Sequence, residues 1–243
     1  MPALEKYRPL PTVGALVMPL RFLLTVATFC LAVAASAEDI ALPGLCGKLV
    51  NGVYTAPGNH YKVPIPVLTE LGGQVHDTEN VVTFDDEINT HVSIACFPLD
   101  QAQKWELDTR GLRSYLAYFY VGFVFADFGQ RYPGASTEST YFVPDLLDGS
   151  LLAITLLPGG SFFDKTTREV AGPNMPPPVA KRGSFLFVRR DNIYVVSAEL
   201  AERVSQGKAF GKTPEEENII LRDRLVSFIH RIEFITPADT RKP

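Results

Sequence analysis

Between Gly52 and Ala198 the apolar positions fall in short runs separated by turn residues. Tyr61, Val63, Ile65 and Val67 alternate with His60, Lys62, Pro64 and Pro66, the period of two of a half-buried strand. The strand before it, Gly52–Thr55, returns through Pro57-Gly58-Asn59. Pro64 and Pro66 cannot donate to a ladder and belong at a strand edge or end. Gly72-Gly73 marks a turn, and Val81–Phe84 and His91–Phe97 read as strands around the acidic loop Asp85-Asp86-Glu87-Ile88-Asn89. Tyr141–Leu147 and Ser150–Leu157 flank Asp148-Gly149, a hairpin signal because a type I′ turn needs positive φ at both central residues. Phe185–Arg189 and Ile193–Ala198 form a further hairpin, turning at Asp191-Asn192. Residues 129–139 and Asp164–Arg182 read as loops.

Two stretches depart from this pattern. Tyr115 to Ala126 is apolar or aromatic at every position, within Gly111–Phe128. Its residue types favour strand, but its length predicts a helix, with Leu112, Tyr115, Leu116, Phe119, Gly122, Phe123 and Ala126 on one face. Tyr118, Val121 and Phe125 make the opposite face apolar as well, so the helix is expected to be buried on both sides. It is too short to span a bilayer. Near the end, Thr213 can cap a helix, Pro214 suits its first position and Glu216 completes a capping box. Ile219, Ile220, Leu225, Val226, Ile229 and Ile232 would line the apolar side of that helix. Asp100–Asp108, with Trp105, is a short helix or a loop. The whole predicts an α+β fold: a mainly antiparallel sheet built from hairpins, with helices packed on it.

The N-terminus changes the picture of where such a domain works. Arg21, an apolar run from Phe22 to Ala34, and Ala35-Ser36-Ala37 follow the order of a secretory signal peptide cleaved after Ala37. The expected organisation is a signal peptide at 1–37 (Met18 being an alternative start), a lead-in at 38–48, one globular domain at 49–236 and a tail at 237–243. No stable membrane span is expected after cleavage, and the protein is expected in the periplasm or outside the cell. Removing 37 of the 243 residues leaves 20 basic and 26 acidic residues, a formal charge of −6. That balance argues against nucleic acid as a partner. Export also permits a disulfide between Cys46 and Cys96. Cys96 shares a strand face with Val92 and Ile94, however, where a free thiol packs as a small hydrophobe.

Candidate chemistry is sparse. His76, Asp77, Asp85, Asp86, Glu87 and His91 lie within 16 residues. Imidazoles with carboxylates could hold Zn²⁺, and carboxylates alone Ca²⁺. The metal set is His76, Asp85, Asp86, Glu87 and His91. The competing reading places the acids in solvated turns and the histidines outward on strands. No nucleophile elbow, P-loop, zincin or dinucleotide fingerprint occurs. A hydrolase-type reading would use His60 or His76 with a nearby Asp or Ser. Tyr115, Tyr118 and Tyr120 could line a ligand pocket between helix and sheet, or simply fill the core. For a protein partner, Pro173, Pro176, Pro177 and Pro178 offer stiff extended chain. The outer face of the central helix is a second surface.

Gly58-Asn59-His60-Tyr61-Lys62-Val63-Pro64-Ile65-Pro66, a turn leading into an aromatic strand that ends in proline, resembles the early hairpin of the PsbP-like α/β/α sandwich proteins. Leu225-Val226-Ser227-Phe228-Ile229-His230-Arg231-Ile232-Glu233-Phe234 resembles their last helix. That superfamily includes Ran-binding Mog-type proteins and DcrB-like envelope lipoproteins. The double Pro64/Pro66 and the long proline loop depart from its pattern. The resemblance implies no shared catalytic residues, and binding or stabilisation of other proteins; no cofactor is expected beyond the Ca²⁺ or Zn²⁺ that the acidic cluster could hold. The expected role is a non-catalytic binding or accessory protein of the bacterial cell envelope, with a small-ligand- or metal-binding periplasmic protein as the alternative and a hydrolase after that.

Overall fold

The computed structural model describes residues 44–161 and 178–235. The segment read as a signal peptide, Pro173, Pro176, Pro177 and the tail lie outside the described residues. No helix among the described residues is long and apolar enough to cross a membrane.

The fold is α+β, with helices packed on two antiparallel sheets. The smaller sheet holds β1 (Lys48–Val50), β2 (Val53–Thr55), β3 (Tyr61–Pro64) and, paired to β3, β11 (Glu233–Phe234). Asn51 and Gly52 both take positive φ between β1 and β2, the backbone a two-residue hairpin demands. The larger sheet contains β4 (Gln74–Asp77), β5 (Val81–Asp85), β6 (His91–Pro98), β7 (Ser136–Val143), β8 (Ser150–Pro158), β9 (Val179–Arg189) and β10 (Asn192–Glu199). Its order is β4-β5-β6-β10-β9-β8-β7.

Several turns differ from expectation. β7 stops at Val143 because Pro144 has no N–H to continue the ladder. The chain therefore reaches β8 through a six-residue loop with positive φ at Leu147, Asp148 and Gly149, not through a two-residue turn. The β9–β10 turn is Arg190-Asp191, one residue earlier than read, since Arg189 pairs Asn192. β9 starts at Val179, inside the stretch read as loop, because its first residues pair the apolar end of β8. β7 begins at Ser136, also inside a predicted loop, and carries an irregularity between Thr137 and Ser139.

One face of the large sheet, through Val82, Phe84, Ile94, Cys96, Phe185 and Phe187, packs on the small sheet and on α5 (Pro214–Ile229). The predicted cap of α5 is present: the Glu216 N–H donates to Thr213 Oγ1, and Glu216 Oε2 accepts from the Thr213 N–H. Its buried positions include Leu221, Leu225 and Phe228, whereas Ile219 faces solvent, contrary to the predicted stripe.

The opposite face carries α1 (Gln101–Arg110), α2 (Leu112–Phe119), a π-helical turn (Tyr120–Phe125) and α3 (Ala126–Arg131). Gly111, at φ 74°, separates α1 from α2. The π turn explains why the predicted face fails. One extra residue in a turn rotates everything after it by about 100° relative to an α-helix. Tyr115, Leu116 and Phe119 are buried as expected, but burial then passes to Tyr120 and Phe128. Tyr118, Val121 and Phe123 remain exposed, so the stretch is not buried on both sides. A short α4 (Ala201–Ser205) follows β10.

Candidate functional site

The helices do not cover the whole sheet. On their side, β5 and β6 stay partly open and floor a cleft of about 640 Å³. Strand alternation decides which residues face it. Val92, Ile94 and Cys96 point into the core, so Ser93, Ala95 and Phe97 point into the cleft. β10 contributes Val195 and Ser197 on the same face, in register with Ala95 and Ser93. The roof is Phe119, Phe123, Val124 and Phe128. Phe119 and Phe123 stack at 4.8 Å, and the π turn keeps Phe123 over the opening. Arg182 of β9 closes one end.

The charges around the cleft are mostly committed. Asp100 accepts the Gln103 N–H at 2.7 Å and caps α1. Asp127 Oδ1 accepts from Arg131 Nε at 3.0 Å. The Arg182 guanidinium lies 5.5 Å from the Phe128 ring centroid and 3.9 Å from Glu199 Oε2. Burial lowers its pKa from the ordinary value, while Glu199 pulls the other way. Ser184 and Ser197 share a buried hydroxyl–hydroxyl bond of 2.8 Å.

The residues read as a metal set do not converge. His76 is exposed on β4, 3.0 Å from Gln74 Oε1 and 3.9 Å from Asp85 Oδ1. Asp86 is consumed by its own loop, where Oδ1 accepts the backbone N–H groups of Ile88, Asn89 and Thr90. Burial alone would raise its pKa, but these three donors win and lower it. Glu87 is exposed beside Gly72. His91 is buried on β6. Among the described residues no three His, Cys, Asp or Glu side chains are placed to hold a metal.

His91 has a different consequence. Burial, assisted by Arg182, depresses its pKa from 6.5 to about 3. The unfolded chain therefore binds a proton that the fold refuses. Stability from this group is complete above pH 6.5 and falls with pH toward 3, by at most about 1.4 kcal/mol per pH unit. Asp85, opposite His91 in the register, is raised from 3.8 by burial against the pull of His76 and acts in the opposite sense, so the histidine's part is read as the difference between the native protein and a His91 variant between about pH 5 and 6.5. Urea denaturation at several pH values in that window is expected to show this slope in the native protein and its loss in His91→Gln. An unchanged slope would refute the assignment.

Cys46 and Cys96 are both free thiols. Cys46 is exposed, and its N–H donates to Asp77 Oδ1. Cys96 sits in the core as the small hydrophobe of the second reading, with burial pushing its thiol up to about 11. His60 lines a separate cleft of about 270 Å³ with Thr78, Glu79 and Asn80. Among the described residues its ring forms no hydrogen bond to an Asp or Ser. Of the predicted pocket tyrosines, Tyr115 and Tyr120 belong to the core and Tyr118 is exposed beneath Arg110. The pocket exists, but the phenylalanines of the same stretch line it. Pro178 precedes β9, and its carbonyl accepts from Gly159.

No protein-family model matches the chain, and no curated protein matches it. Solved structures do. It is similar to the solution structure of PsbP (CyanoP) from the cyanobacterium Synechocystis sp., at 12% identity over 79% of this chain and 99% of that one, with a TM-score of 0.46. It is similar to a mutant of the protein Mog1, at 8% identity over 74% of this chain and 94% of that one, with a TM-score of 0.43. A protein of Bacteroides thetaiotaomicron follows at 8% identity, 77% of this chain, 50% of that one and a TM-score of 0.38.

Proposed function

We propose that this is a non-catalytic binding protein of the bacterial cell envelope, and that its cleft takes a small, mainly apolar ligand. The carrying observation is the cleft itself, an apolar trough of about 640 Å³ between Ala95 and Val195 below and Phe119 and Phe123 above. That size and lining, with a few polar groups at one end, are those of a ligand site. Its acids serve as a helix cap and an ion-pair partner, which favours binding over acid–base chemistry. The signal-like N-terminus supports an envelope location. An accessory role toward an envelope protein is the second reading, favoured by Trp105 and Val121, which are 63% and 61% exposed on the outer side of the helices.

The test is fluorescence titration with 1-N-phenylnaphthylamine, a neutral apolar probe. The native protein is expected to bind it. Ala95→Trp fills the floor of the cleft and is expected to weaken binding by about tenfold or more, since an excluded ring forfeits well over 1.4 kcal/mol of apolar contact. Val121→Ala, outside the cleft, leaves binding unchanged. No binding by the native protein, or equal binding by Ala95→Trp, would sink the reading.

A further inference from the structure

The roof of the cleft is the end of a ladder of rings. Tyr115, Phe119 and Phe123 stand four residues apart along α2 and the π turn. Tyr115 and Phe119 lie 6.2 Å apart and tilted at 48°, and Phe119 and Phe123 stack at 4.8 Å and 26°. Tyr115 and Phe119 are buried, whereas Phe123 is half exposed over the opening. Tyr118 meets Phe123 at 6.2 Å with the two planes at 85°, which fixes the orientation of the last ring. Below it, the sheet presents the small side chains of Ser93, Ala95 and Ser197. Rings above and small groups below make the cleft a slot whose two walls are flat.

We propose that the ligand is an uncharged, planar aromatic molecule that lies between Phe123 and the floor at Ala95 and forms the next rung of the ladder. This rests on the cleft being a ligand site. A stacked or edge-on aromatic pair gains about two- to tenfold in affinity beyond the area it buries, so the roof favours a ring over a saturated skeleton of the same size. The charged groups around the cleft exclude a charge on the ligand. Asp100 caps α1 through the Gln103 N–H. Asp127 holds Arg131 at 2.9 Å. Arg182 is buried beside Glu199. Each is engaged within the protein, so an ionic ligand would lose its water without gaining a counter-charge.

The experiment is calorimetric titration of the purified full chain with 2-naphthalenemethanol, its saturated counterpart decahydro-2-naphthalenemethanol, 2-naphthoate and 2-naphthylmethylammonium. Exclusion from water alone favours the saturated alcohol, which carries more apolar surface. The aromatic alcohol should nevertheless bind about threefold or more tighter. Both ions should bind about tenfold or more weakly than the aromatic alcohol. Phe123→Leu keeps the roof apolar without its ring and should abolish the preference between the alcohols. Phe123 is half exposed, so this variant keeps the fold. A saturated alcohol that binds the native protein as tightly as the aromatic one, or a preference that survives Phe123→Leu, overturns the aromatic assignment and leaves the apolar cleft standing. An ion that binds as tightly as the aromatic alcohol overturns the uncharged assignment in the same way. Binding of none of the four overturns the cleft as well.

Discussion

Replacing Lys181 by alanine is expected to cost about 3–5 kcal/mol of folding free energy. Lys181 is fully buried, and its Nζ lies 2.8 Å from Glu138 Oε2, 2.9 Å from Glu217 Oε2 and 3.1 Å from the Pro214 carbonyl. Arg203 also reaches Glu217, at 2.5 Å, and bonds the Val179 carbonyl through Nε. The network thus ties the first turn of α5, the irregular part of β7 and the start of β9 together. Burying two charges costs nearly as much as their attraction returns, so the intact pair adds little net stability. Removing Lys181 is different, because it takes the buried ammonium from both Glu138 and Glu217 and leaves the more exposed Arg203 to compensate Glu217. The double replacement Lys181→Met with Glu217→Leu should therefore recover most of the loss. Urea denaturation of the native, single and double variants measures this, and a single-variant loss below about 1 kcal/mol would show that the site admits water.

The second large effect lies in the opposite kind of core. Phe187 is fully buried, stacks on Tyr194 at 5.2 Å and meets the edge of Phe234 at 5.8 Å. Phe187→Ala is expected to cost about 3–5 kcal/mol, because three elements hold the cavity open and cannot collapse into it. Phe123→Ala, on a ring that is 48% exposed, should cost less than about 1 kcal/mol. Thermal and urea melts of the two variants compare them directly. Near-equal losses would mean that the roof of the cleft is as much a part of the core as Phe187, and that the cleft is closed in solution.

What could be read from the sequence was local. Thr213-Pro214-Glu215-Glu216 announces a helix start through hydrogen bonds spanning three residues, and the cap forms as expected. Pro57-Gly58-Asn59 and the apolar length of Tyr115–Ala126 were equally direct. Asn51-Gly52 carries as strong a hairpin signal, and the β1–β2 turn forms there. The π turn was not legible, because residue type does not reveal one extra residue in a helical turn, yet that residue decides whether Phe123 faces core or cleft. β7 was read from Tyr141 on, and its first half was read as loop because Ser136–Thr140 is polar at every position, as the last strand of a sheet can be. The acidic cluster misled for a related reason: proximity in sequence places His76 on β4, Asp86 in a loop and His91 under Arg182. The cleft inverts that lesson, since Ser93, Phe123, Arg182 and Ser197 are far apart in the chain and only the register brings them together. Arg182, read as the end of a loop, gave no sign of lying on a strand.

The irregularity in β7 bears on behaviour at high concentration. Among the described residues β7 is the last strand of its sheet, and an eight-residue outer strand without lysine or proline invites another chain to add to it. Between Thr137 and Ser139 the pairing with β8 shifts, and Glu138 turns inward to Lys181. A newcomer in regular register would have to straighten that kink and draw the carboxylate off its buried ammonium. The same glutamate that completes an internal charge network thereby discourages fibrillar stacking, and keeps one molecule's sheet from becoming the template for the next.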